Sequence, residues 1–195
     1  MRFFLQIKAW QLFVLLFFLP FIINGFIAGV FGGPNPGANK ALHTASLLLP
    51  MVSIYLVWLW AAGKILYLKS PRQEAVGHYG LFKISIIYSF VYNAYSIIFV
   101  LPLLLENPQF QLEESSSTLL RVVDVLSTFA WFYSIYFVSR ALVVYEAISD
   151  EQARFFGILK LVLCFAFYPL GLWFAQPRIN KAVQSEDKKQ FSVEM

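Results

Sequence analysis

The chain has 195 residues, of which 59% are hydrophobic, 18% aromatic and only 13% charged, with a net charge of +4; its mean hydropathy is +0.65. A soluble domain carries roughly 25% charged residues, so this composition excludes an ordinary soluble protein and points to a polytopic membrane chain. The cations flank apolar runs instead of forming a nucleic-acid face, and a single cysteine, Cys164, excludes a disulfide within the chain.

A helix needs about 20 mostly apolar residues to cross about 30 Å of hydrocarbon. The opening MRFFLQIKAWQLFVLLFFLPFIING starts like a signal peptide, with Arg2 and Lys8 ahead of an apolar core. The uncharged run, however, continues from Ala9 to Asn39 with no small-x-small cleavage site, whereas a cleaved core spans about 7–15 residues. It reads as a retained first span over 9–31, bent at Pro20 and ended by Gly32, Gly33, Pro34, Pro36 and Gly37. A second span fills 41–63 between Lys40 and Lys64, with Trp58 and Trp60 near its basic end as interface anchors. The third fills 84–105 between Lys83 and Glu106. The fourth, 120–146, must absorb Arg140 to reach full length.

The fifth segment, 155–176, ends in Trp173, Gln176, Pro177, Arg178, Asn180 and Lys181, an aromatic and basic exit of the kind seen at a membrane interface. Pro177 predicts that the helix ends or bends at Gln176. The expected fold is an all-α membrane bundle of five hydrophobic helices within 1–181, followed by a polar, disordered tail over 182–195. The fifth helix is either a span or re-entrant, with Pro169 and Gly171 as the place for a break. The full crossing is the expectation, because an uninterrupted apolar run spans more simply than it folds back.

Charge counting orients the chain. With five crossings, Arg2, Lys8, Lys64, Lys69, Arg72, Lys83, Arg140, Arg154 and Lys160 share one side, against Lys40, Arg121, Arg178, Lys181, Lys188 and Lys189. A returning fifth segment moves the last four across and sharpens the bias. Either way the positive-inside rule puts the N-terminus in the cytoplasm.

Polar residues inside apolar runs are the candidate sites. Ser85, Tyr88, Ser89, Tyr92, Asn93 and Ser96 recur every three or four residues and fall on one helix face. Asp124, Ser127, Thr128, Trp131 and Ser134 form a matching stripe on the fourth segment. The two faces either hold helices together by hydrogen bonds or line a conduit; two polar faces packed together require no substrate. Arg140 and Lys160 are candidate buried or snorkelling charges, with Glu146 or Glu74 as partners for Arg140. Gly25, Gly29 and Gly33 lie four apart and suit close helix packing, within the chain or between two copies. His43 and His78 are isolated, no spacing suggests a metal site or cofactor, and no HExxH, GxSxG, Walker A or GxGxxG motif is present.

The opening Lys8-Ala9-Trp10-Gln11-Leu12-Phe13 and the closing stretch from Tyr168 to Lys181, YPLGLWFAQPRINK, resemble a group of small bacterial inner-membrane proteins. Members of that group begin with K-x-W-Q-L-F and end in G-I/L-W-x-x-Q-P-R-I-N-K. The resemblance implies a bacterial cytoplasmic membrane and carries no catalytic residue. The function expected is that of an accessory, sensory or assembly component acting through helix packing. A small channel or transporter using the third and fourth polar faces is the alternative. The partners are the lipid bilayer and either a second copy or another membrane protein, with no nucleic acid.

Overall fold

A computed structural model describes residues 8–31, 40–101, 118–146, 151–166 and 173–182. Among them every regular element is a helix: α1 (Ala9–Phe31), α2 (Lys40–Lys69), the short α3 (Gln73–Val76), α4 (Tyr79–Tyr95), α5 (Thr118–Tyr145), α6 (Glu151–Ala166) and α7 (173–182). A π-helical turn, Ser96–Val100, continues α4. Four helices are long and apolar enough to cross a membrane: α1, α2, α4 with its π turn, and α5. α6, at 16 residues, is about 24 Å long and falls short of the hydrocarbon thickness.

The surface is apolar, as lipid requires. Phe18, Phe21, Ile22, Phe26 and Val30 are exposed along α1, and Val122, Val125, Leu126 and Phe129 along α5. Pro20 and Pro50 sit inside α1 and α2; each removes one backbone donor, yet both helices continue.

The chain divides into two compact units. The first comprises Met1–Phe13, Val57–Ser85 and Phe132–Met195. Its centre is aromatic. Phe82 stacks on Phe137 at 4.3 Å, Tyr67 stacks on Tyr79 at 4.8 Å, and the Lys83 ammonium lies 4.8 Å over the Tyr79 ring. Ala61, Ala62 and Gly63 leave room on α2 for these rings. The Phe82 ring lies where a Cβ on Gly63 would be, so only glycine fits there without repacking. Gly77, at φ 115°, turns the chain from α3 into α4 in a conformation that side chains disfavour.

The second unit comprises Val14–Leu56 and Ile86–Trp131. Asn24 ties α1 to α2: its amide donates to the His43 carbonyl at 2.5 Å and to Ser46 Oγ at 2.9 Å. Ser46 Oγ also donates to the His43 carbonyl at 2.9 Å. The isolated His43 therefore contributes its backbone here.

Trp58 is not an interface anchor. It is fully buried, eleven residues before the end of α2 and about 16 Å from it along the axis. Of the end or bend expected at Gln176, the end differs from the structure. Residues 173–182 are helical on both sides of Pro177. The break expected near Pro169 and Gly171, the residue Gly33 and the tail after Ala182 lie outside the described residues.

Candidate functional site

Two polar arrangements stand out, one in each unit. In the second unit, the Tyr88 hydroxyl donates to the Val123 carbonyl at 3.1 Å, and the Tyr92 hydroxyl donates to the Asp124 carboxylate. Tyrosine suits this task because its rigid ring reaches across to the neighbouring helix and places an O–H at the tip. The Tyr88 and Tyr92 rings stack at 6.5 Å. Asn93 turns to its own helix and donates to the Ser89 carbonyl at 2.7 Å; Thr128 Oγ1 does likewise to the Asp124 carbonyl at 3.0 Å. Ser127 is buried, Ser85 and Ser96 are half-buried, and Asp124 and Thr128 are exposed. The Ser89 hydroxyl is buried, with no hydrogen-bond partner among the described residues. Of the two predicted stripes, Tyr92 and Asp124 meet side chain to side chain, while Tyr88 joins the helices through the Val123 backbone instead.

The second arrangement gathers around α7. Gln176 is fully buried. Its Oε1 accepts from Trp58 Nε1 at 2.7 Å, and its Nε2 donates to Asn180 Oδ1 at 3.0 Å. Trp58 packs its ring on Phe165 of α6 at 5.7 Å. Arg178 forms a two-pronged ion pair with Glu146, its Nε at 2.7 Å from Oε1 and its second prong on Oε2. Lys69 Nζ donates to the Ala182 carbonyl at 2.9 Å, so a cation meets the negative end of α7. Ala175, Ile179 and Ala182 are buried on the same helix, while Phe174, Pro177 and Lys181 are exposed. Trp173, half exposed, lies 6.2 Å from the Phe13 ring.

Arg140 meets neither expected carboxylate. Its Nη1 donates to the Tyr136 hydroxyl at 3.0 Å, one turn back on α5, and Glu146 is held by Arg178. Helix geometry explains the difference: six residues turn a helix through roughly 240°, so Arg140 and Glu146 face different ways. Lys160 is exposed on α6. Gly25 and Gly29 are also open, since a Cβ on either would meet nothing within 4 Å; among the described residues they bring no other helix close.

Sequence reasoning passed over Asn24 and the partnership of Trp58 with Gln176. Asn24 had a usable signal, being the only strongly polar side chain between Leu12 and Phe31. Among the described residues no three His, Cys, Asp or Glu side chains come together as a metal site. No family model, curated protein or solved structure matches the chain.

Proposed function

We propose that this chain is a non-enzymatic component of a bacterial cytoplasmic membrane, an accessory, sensory or assembly subunit that works by packing its helices against a second copy or another membrane protein. The N-terminus is cytoplasmic in this reading, following the distribution of Lys and Arg. The resemblance of the two chain ends to small bacterial inner-membrane proteins supports the location. The observation that carries the reading is the Tyr88 hydroxyl on the Val123 carbonyl: two tyrosine hydroxyls of the stripe, Tyr88 and Tyr92, are taken up by the neighbouring helix, which serves cohesion.

A small channel or transporter is the second reading. It draws on the buried Ser89 hydroxyl, which has no hydrogen-bond partner among the described residues, and on the π turn that begins at Ser96, since π turns recur at functional positions. Reconstitution into vesicles loaded with a potassium-, proton- or chloride-sensitive dye separates the two. Cohesion predicts the same leak as empty vesicles for the wild type. A flux that Tyr92→Phe abolishes would overturn the packing reading.

A further inference from the structure

We propose that α6 and α7 form a re-entrant pair whose outward face, Phe155, Phe156, Leu159 and Leu163, inserts into the lipid leaflet on the Lys69 side, so that the chain crosses the membrane four times and residue 182 returns to the side of residue 8.

The contacts within the first unit set the path. α6 begins five residues after Glu146, and α7 comes back to Glu146 through Arg178 and to Lys69 through the Ala182 carbonyl. Between those ends both helices reach Trp58, α6 through Phe165 and α7 through Gln176. Trp58 lies about 16 Å along α2 from Lys69, near the middle of a hydrocarbon layer about 30 Å thick. The pair therefore descends about halfway and returns. A crossing would carry Ala182 away from Lys69. Phe13, near the start of α1, meets Trp173, which puts the opening of the chain beside the same pair.

The outward face names its occupant. Leu161 and Phe165 are buried on one side of α6, and Phe155, Phe156, Leu159 and Leu163 are 44–65% exposed on the other. A contiguous aromatic and aliphatic face is suited to acyl chains. Lys160 sits at its edge, nine residues into α6; a helix entering obliquely lets this ammonium reach lipid phosphates, which a perpendicular one would hold about 13 Å below its start. Returning Arg178, Lys181, Lys188 and Lys189 to the side of Lys69 also gathers the cations on one face, as the positive-inside rule favours.

The native cysteine makes the test direct. In a Cys164→Ser background, Arg72→Cys and Lys181→Cys are each treated with a membrane-impermeant maleimide in right-side-out and inside-out vesicles. Labelling of both from the same side is the expected result; labelling from opposite sides overturns the return path. In the same background Leu159→Cys carries an environment-sensitive fluorophore in vesicles of lipid brominated along its acyl chains. Loss of emission against unbrominated vesicles is expected. Unquenched emission overturns the lipid face: a blue-shifted signal means that protein covers it, and a water-like one that it lies outside the membrane. A Cys164→Ser chain that inserts and gives the native melting temperature controls for folding.

Discussion

The Trp58 indole donates to the Gln176 amide across 2.7 Å, joining residues 118 apart in the sequence with both side chains fully buried. A donor and an acceptor of this kind in an apolar interior depend on each other. Gln176→Leu takes this acceptor away from the indole, and a hydrogen bond of this kind contributes about 0.5–1.5 kcal/mol net. The variant should unfold earlier in detergent, and Trp58→Phe alone should do so as well. The double variant should lose less than the sum, since each single change already breaks the one bond that joins the pair. Strictly additive losses would show that the bond contributes nothing of its own.

Gly63 and Gly25 make a matched pair. Gly63→Ala forces a methyl group into the Phe82 ring and should cost roughly 1–3 kcal/mol. Phe82→Leu should recover part of that loss. Gly25→Ala meets open space and should be neutral or slightly stabilising for the isolated chain. Melting curves of the three variants in one detergent check the ordering.

The Arg178–Glu146 pair is partly open, with side chains 35% and 27% exposed. Glu146→Gln should weaken the hold on α7 by about 1 kcal/mol or less. The effect should be largest at low salt, where screening is least. Limited proteolysis after residue 178 should be faster in Glu146→Gln, and the exchange Glu146→Arg with Arg178→Glu should slow it again. Equal cleavage in the wild type and both variants would count against a role for the pair in docking α7.

Arg140→Leu should insert and fold normally, because the hydrogen bond and ring contact that the side chain gives up are with Tyr136, one turn back on the same helix. Insertion is read by carbonate extraction and folding by the melting temperature. Loss of either would assign Arg140 a structural task beyond these contacts.

The all-helical membrane character was legible because run length and charge depletion are local properties of a sequence. The four long apolar helices follow from them. The fate of the last apolar segment was not legible, because it depends on where Gln176 and Arg178 find partners, and those partners lie on α2 and beyond the end of α5. Arg140 and Glu146 looked like neighbours in sequence, but the rotation of the helix separates them. The glycines show the same limit. Gly25 and Gly29 carry a packing spacing and face open space, whereas Gly63, with no such spacing, lies under a ring. Trp58 near a basic helix end resembled an anchor at the interface because burial is not written in residue type.

The account rests on the polar faces of α4 and α5 holding helices together. Groups kept for transport are commonly retained at a cost to stability, and removing them stabilises a protein; groups that hold helices together behave in the opposite way. The deciding measurement is the unfolding free energy, in mixed micelles, of the Tyr88→Phe/Tyr92→Phe double variant. Interhelical hydrogen bonds in membranes average about 0.6 kcal/mol and reach about 1.7, so the account predicts a loss of roughly 1–3 kcal/mol. A double variant as stable as the wild type, or more stable, would contradict it.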